Sequence, residues 1–274
     1  MAYHDTVIID GDTIPYSCGF AAKGEPVSHA LRLAKNKLYQ ILEDTGAANY
    51  RLYIAGEGNY REDVCFDYKA TRTTPKPDHW GAIREYMLKN WNAIKCDGFE
   101  ADDIVGAIVH ESYIKNDSSI ICSSADKDLN TCAGWHYNPM SRKTYFVTEL
   151  QADRFLAYQM LCGDRTDNIK GLPHLTPEII NTYDLRKAKG CGDISARNII
   201  QSHGGVPWED VAYCYASWGM ANDLTSEEIN EYMQQQYDLL SICRSRIGDE
   251  PLRPVLTDRH LTLVDVELAI GRLM

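Results

Sequence analysis

TVIIDGD at residues 6–12 and SSIICSSADKD at residues 118–128 decide the fold class: each is a short apolar run that turns abruptly into carboxylates. Runs of this kind suit strands buried on both faces, as in parallel sheets. Between them, Val27, Ala30, Leu31, Ala34, Leu38, Ile41 and Leu42 recur at helical spacing over 27–44. Gly46 punctuates, and Tyr50–Ala55 (YRLYIA) reads as a second strand. Residues 56–78 hold two glycines, two prolines and many charges without a clean period, whereas 79–94 show a helical Trp80, Ile83, Met87, Trp91 face. Ala101–Ile114 reads as a further helix, Tyr145–Val147 as a short strand and Glu149–Leu161 as another helix. Strands alternating with helices predict βαβ units and a mostly parallel sheet. Beyond residue 163 the strand signals fade. Gly163, Gly171, Pro173, Gly190 and Gly192 separate short helical pieces, and 225–244 reads as a longer helix behind a Thr225/Ser226 cap.

Composition narrows the class. The chain has 274 residues, and 28 Lys+Arg against 39 Asp+Glu leave a net charge of −11. At about 100–200 residues per domain this predicts one large domain or two modest ones. Apolar content of 44% and charged content of 24% are ordinary for globular chains and exclude wholesale disorder. No apolar run is long enough for a membrane-spanning helix, and MAYHDTVIID lacks the pattern of a signal peptide. Nine cysteines, scattered from Cys18 to Cys243 without CxxC or paired Cys/His spacing, predict reduced thiols and a cytoplasmic protein. The acidic balance opposes general affinity for phosphate backbones. Basic stretches exist all the same: Arg61, Lys69, Arg72, Lys76, Arg84, Lys89 and Lys95 in one segment, and Arg186, Lys187, Lys189 and Arg197 in another. Solvated helix faces explain either stretch taken alone.

The acids carry the functional signal. They recur at five places: Asp10 and Asp12, Glu57, Glu100 with Asp102 and Asp103, Asp126 and Asp128, and Asp164 with Asp167. In an open α/β sheet, groups at the carboxyl ends of strands face one crevice. Two unit charges about 5 Å apart at an effective dielectric of about 20 repel by roughly 3 kcal/mol, and several such pairs exceed the stability of a domain. Bound cations remove that penalty. A donor set of oxygens alone selects hard ions, Mg²⁺ or Mn²⁺, and two such ions form a clamp suited to phosphodiester hydrolysis. Capping explains an isolated FEADD, a turn explains an isolated GDRTDN, and solvation explains Glu57 alone. Five coincidences together are a pattern.

VIIDGD, YKATR at 68–72, EADD at 100–103, SADKDL at 124–129 and GDRTDNIKGLP at 163–173 occur in order. Over roughly residues 6–200 they resemble the 5′-nuclease family: flap endonucleases, the 5′-nuclease domain of bacterial DNA polymerase I and, in length, stand-alone bacteriophage 5′→3′ exonucleases. The resemblance implies an α/β, PIN-like, mostly parallel sheet with flanking helices in residues 1–162, with a helical arch at about 60–95. It further implies a helical DNA-binding region over 163–274, with a helix–three-turn–helix at about 163–203. Carried over by position, Asp10, Glu100, Asp102, Asp126, Asp128, Asp164 and Asp167 become metal-ligand positions, and Asp103 matches the fourth acid of EADD. Lys69 and Arg72 become the basic pair that addresses the scissile phosphate, and Tyr68 an aromatic for a terminal base or for packing. Arg61 and Lys76 add cations for the backbone. The partner implied is a DNA duplex with a 5′ end or flap, or an RNA–DNA hybrid, met by a monomer without a membrane; for a phage protein the location is the host cytoplasm.

Two departures stand out. Where the family has an aspartate after the second strand, this chain reads AGEGNYRED, so Glu57 is the substitute. KGCGDISARNI at 189–199 resembles the glycine turn of the helix–three-turn–helix, displaced by an insertion around 174–188. There Gly190 and Gly192 open the backbone to a phosphate and Lys189 and Arg197 add charge. The reading is a two-metal 5′→3′ exonuclease or flap endonuclease of phage-type DNA replication or degradation. The alternatives are a PIN-type ribonuclease and a non-catalytic DNA-binding relative.

Overall fold

The computed structural model describes residues 4–186, 190–202, 207–259 and 261–273. In chain order, its first elements are β1 (Thr6–Asp10), α1 (Thr13–Ala21), α2 (Val27–Thr45), β2 (Asn49–Ala55), α3 (Tyr60–Val64), α4 (Trp80–Asn90), β3 (Ile94–Cys96), α5 (Ala101–Ile114) and β4 (Ile120–Ser123). After a 3₁₀ turn at Asp128–Thr131 come β5 (Gly134–Asn138), β6 (Lys143–Val147), α6 (Glu149–Cys162), α7 (Pro177–Thr182), α8 (Asp193–Ser202), α9 (Pro207–Met220) and α10 (Ser226–Leu240). A two-residue pair, β7 (Arg246–Ile247) and β8 (Glu250–Pro251), and α11 (Leu263–Leu273) close the chain. Among the described residues no helix is long and apolar enough to cross a membrane.

The chain divides into two compact units. The first takes in the residues up to Tyr60, then Thr73–Thr148 and Ile242–Leu252. Its sheet runs β3-β2-β1-β4-β5-β6, parallel throughout except for β6 against β5. The strand period of two assigns alternate residues to opposite faces. Val7, Ile9, Leu52, Ile54 and Ile121 pack against α1, α2 and α4, while Ile8, Tyr53 and Cys122 pack against α5 and Ile242. Both faces are covered, which is why these strands read as continuous apolar runs. Each fully buried Ile contributes about 1.5–3 kcal/mol.

The second unit comprises Arg61–Arg72, Glu149–Ser241 and the residues from Arg253 on. Its core joins Leu156, Met160, Leu161, Ile179, Ile199, Tyr215, Met233 and Tyr237 from five helices and also takes in Tyr68. The expected single cut at residue 162 therefore shifts. α6 buries Leu156, Ala157, Met160 and Leu161 with the helical unit, and Ile242–Leu252 returns to the sheet unit. The stretch expected as an arch is also divided, for Ile83 and Met87 of α4 are fully buried against the sheet unit's own helices, whereas residues 61–72 belong to the helical unit.

Among the elements that sequence periodicity missed are α1, β3 and β5. α1 carries Pro15 and Gly19, but Pro15 lies in the first turn, where no intrahelical N–H is lost. β3 is three residues long and mostly exposed, and β5 (GWHYN) has no apolar run. α4 stops at Asn90 rather than 94 because Asn92 takes a left-handed conformation (φ 47°) that turns the chain into β3.

Candidate active site

In the sheet unit, β1 delivers Asp10 to the carboxyl end of the sheet, 6% exposed. One of its oxygens accepts the Asp12 amide at 3.1 Å and the other the Ser124 hydroxyl at 2.7 Å. Ser124 in turn accepts the Asp126 amide at 2.9 Å, and Asp126 accepts the Asp128 amide at 2.9 Å. The loop after β4 is thus a chain of short polar turns that brings Asp126 near Asp10, with Asp128 following Asp126. Burial, then the charges of Asp12 and Asp126, push the Asp10 carboxyl up to about 7, against the opposing bonds from Ser124 and the Asp12 amide. Asp12 is also raised, first by burial and, among its charged neighbours, by Glu100. These acids repel one another within one crevice.

Two thiols border the same cluster. Burial and then the charges of Asp12, Asp103, Asp102 and Asp10 push the Cys96 thiol up to about 12. Cys122 is driven well above the ordinary thiol range by burial and by Asp10. Without a metal both sulfurs stay protonated, and the charged donors of the cluster are carboxylate oxygens. Among the described residues no group of three or more Asp, Glu, His or Cys side chains is arranged to hold a metal ion. An open carboxylate cluster fits a hard cation that keeps most of its water and is held through one or two carboxylates at a time.

The structure separates the acids by task. Asp103 is fully buried; its carboxylate accepts the Glu100 amide at 3.2 Å, closing the first turn of α5, and the Cys243 amide at 3.2 Å. It ties backbone together. Asp12 accepts the Ala55 amide at 2.9 Å and Arg84 at 3.2 Å, bracing β1 against the end of β2. Glu57 is exposed, and its described contacts are made by its backbone, to Asp97 at 2.9 Å and Gly98 at 2.8 Å.

In the helical unit, GDRTDNIKG closes as a tight loop. Asp164 and Ile169 exchange both backbone bonds, and the Asp164 carboxylate accepts the Thr166 amide at 2.7 Å. Gly163 (φ 68°) and Gly171 (φ 65°) cross so closely that a Cβ on Gly171 would stand 2.4 Å from the Gly163 nitrogen. The loop carries Asp167, 8% exposed, whose carbonyl accepts the Lys69 amide at 2.9 Å and whose carboxylate pairs with Arg72 and Lys69. Asn168 also donates to the Asp67 carbonyl at 2.9 Å. YKATR and GDRTDN are therefore one docked assembly.

Other expected contact residues divide. Arg61 is 1% exposed; its Nε donates to the Leu239 carbonyl at 3.2 Å and its Nη2 to Ser241 at 2.7 Å, so it caps the end of α10 and offers nothing to a phosphate. Tyr68 is packed in the core with the Lys69 ammonium 4.9 Å from its ring centre. Two residues earlier Phe66 is 95% exposed. Gly190 and Gly192 are exposed with open space where a Cβ would stand, just before α8. Arg197 is exposed, paired with Asp193 at 3.1 Å and 5.0 Å from the Tyr158 ring centre. Lys189 lies outside the described residues.

Sequence reasoning passed over Ser124 and an aromatic patch, and read Arg84 only as one charge of a basic stretch. In the sheet unit Lys76 stands 3.9 Å and Arg84 4.8 Å from the ring centre of Trp80, which packs edge-on against the half-exposed Tyr16. Cations interleaved with aromatic rings are the composition of a single-strand binding track, and only the i,i+4 spacing of Lys76, Trp80 and Arg84 hinted at it.

Comparison with known proteins places the chain in a family. A family model described as 5′-3′ exonuclease, N-terminal resolvase-like domain, matches residues 5–155. A 5′-3′ exonuclease of Mycoplasmopsis pulmonis is 30% identical over 150 residues, 49% of this chain and 50% of that one. The thermostable DNA polymerase I of Thermus thermophilus is 26% identical over 218 residues, 73% of this chain and 24% of that one. The chain spans between a quarter and a half of the length of these relatives. Among solved structures, the catalytic core of Rad2 in complex with DNA substrate shares the fold with a TM-score of 0.51 at 12% identity, over 98% of this chain and 89% of that one.

Proposed function

The chain belongs to the 5′-3′ exonuclease family, and from that premise we propose that it is a divalent-metal-dependent nuclease hydrolysing DNA phosphodiesters from 5′ ends. Its action is 5′→3′ exonucleolytic, with 5′ flaps and RNA primers as further substrates. The observation that carries the reading is Asp10, buried at the end of β1 beside Asp12 and Asp126, its carboxyl pushed up by burial first and then by those two charges. Such a group is unfavourable without a cation beside it.

Asp10, Glu100, Asp102, Asp126 and Asp128 are the groups that would hold Mg²⁺ or Mn²⁺. When bound, the ions supply an activated water and charge neutralisation at the leaving oxygen. Asp103, Asp12 and Ser124 position these acids. Lys69 and Arg72 meet the charge that develops on the phosphoryl group, with Asp167 orienting them and Asp164 shaping their loop. The exposed backbone at Gly190 and Gly192, the N-terminus of α8 and Arg197 grip the duplex backbone. Phe66 takes the base contact first assigned to Tyr68, and Tyr16, Trp80 and Lys76 receive single-stranded bases.

The test is hydrolysis of a 5′-labelled duplex beside a 5′-flap substrate, with Mg²⁺, with chelator and with Asp126→Asn. Mononucleotides from the duplex, abolished by chelator and by the substitution, identify an exonuclease. A single cut near the junction identifies a flap endonuclease. Binding without cleavage under every metal condition would overturn the enzymatic reading in favour of a DNA-binding relative.

A further inference from the structure

At the end of the sheet opposite the carboxylates, where β4 and β5 begin, the first unit contains a cavity of about 180 Å³. Three aromatic side chains line it: Tyr113 from the last turn of α5, and Trp135 and Phe146, which face each other across the β5–β6 pair. The Trp135 and Phe146 rings meet edge to face at 5.1 Å and 64°, and Tyr113 is tilted at 6.1 Å from Phe146, so the three form a cup. Phe146 is 40% exposed at its rim.

The cup is rigid. His4 backs Trp135 at 5.3 Å and bonds the Ser118 carbonyl at 2.8 Å, while His110 stacks behind Tyr113 at 6.0 Å. The turn that completes the wall is tied down by the Asn116 amide to Tyr113 and the Asp117 amide to Ser112, at 3.0 and 2.8 Å. Asp117 on that turn lines the cavity, and the Ser119 hydroxyl and amide hold its carboxyl below the usual carboxylate range, and hence ionised. The last turn of α5, at the negative pole of its dipole, contributes Ser112 and Tyr113 to the cavity wall. Lys115, adjacent in sequence, is paired with Glu111.

We propose that this cavity binds an organic cation, a guanidinium or ammonium head carried on an aliphatic stem. Aromatic faces attract such a head through their quadrupoles, and a fixed carboxylate and a helix carboxyl end add charge complementarity. The volume is close to the roughly 150 Å³ that accepts a benzene-sized ligand, enough for the head and the first carbons of the stem. None of these residues belongs to the acid cluster, so occupancy leaves the nuclease chemistry untouched and adds an attachment point to the back of the sheet.

The test is a chemical-shift titration of the full-length ¹⁵N-labelled chain with agmatine, with a Gly-Arg-Gly amide and with a neutral urea isostere of agmatine. Saturable shifts centred on Tyr113, Trp135 and Phe146 are expected with the cations and not with the urea. Asp117→Asn and Phe146→Ala, both at exposed positions, should each weaken binding by about tenfold with unchanged melting temperature. Tighter binding of the peptide would identify a basic partner protein as the source of the cation, and equal binding a free small cation. Absence of saturable shifts with both cations, or equal binding of the urea, would overturn the proposal.

Discussion

Arg72 donates from both Nε, at 3.0 Å, and Nη2 to a single oxygen of Asp167, while the Lys69 ammonium stands 3.8 Å from the other oxygen. The carboxylate anchors both cations at the lip of the GDRTDN loop, with the Lys69 amide bonded to the Asp167 carbonyl as well. A phosphate replacing one carboxylate partner would meet two positive groups already oriented, which lowers the reorganisation needed during reaction.

Lys69→Ala should therefore lower kcat by about 10²–10³ while changing duplex affinity less than about threefold. Single-turnover cleavage and equilibrium binding on the same 5′-labelled duplex measure the two. Equal losses in both would remove its catalytic assignment.

Asp10 links metal, pH and stability. Its folded-state pKa is raised from 3.8 to about 7, so its contribution to stability is fully present below 3.8 and is lost as pH rises through about 7. In chelator, Asp10→Asn should melt higher than the parent chain at pH 8, and the difference should vanish near pH 4. Mg²⁺ should raise the parent's melting temperature at pH 8 and leave the variant's unchanged. Thermal unfolding at the two pH values decides it; parallel metal responses would exclude Asp10 as a ligand.

Arg61 and Arg197 should separate stability from binding. Arg61→Ala strips the donors from the Leu239 and Ser241 carbonyls inside the core and should cost about 2–4 kcal/mol in urea unfolding. The fraction still folded should bind duplex as before. Arg197→Ala should leave the unfolding midpoint in place and reduce the salt dependence of duplex binding by about one ion. Reversed outcomes would return Arg61 to the DNA surface.

Two glycines make a similar contrast. Gly171→Ala forces a methyl group against the Gly163 backbone at a left-handed φ of 65° and should destabilise by at least about 2 kcal/mol. Gly192→Ala meets open space and should leave stability within about 0.5 kcal/mol while weakening duplex binding. Differential scanning calorimetry with a binding titration measures both. Unchanged binding in Gly192→Ala would exclude its amide from phosphate contact.

Much of the molecule was legible in the chain. β1 spans Thr6–Asp10 as its apolar run predicted, and α2, α5 and α6 agree with their periodic segments to within a few residues. The acid motifs fell at strand ends and helix starts because strands buried on both faces leave only their carboxyl ends for polar side chains. β5 escaped notice because GWHYN lacks an apolar run and is defined by its neighbours β4 and β6.

By itself the sequence determined what is local: which segments are apolar or periodic, and which acids follow them. Tertiary structure decided what each polar side chain touches. Arg61 looked like one more surface cation until the carbonyls 178 and 180 residues away were seen to hold it. Asp103 looked like one more ligand until Cys243, 140 residues away, was found donating to it. Tyr68 and Phe66 are both aromatic, yet one lies in the core and the other is 95% exposed. Propensity and periodicity act over a few residues, whereas burial and hydrogen-bond satisfaction depend on whatever the fold brings into contact, which no local pattern encodes.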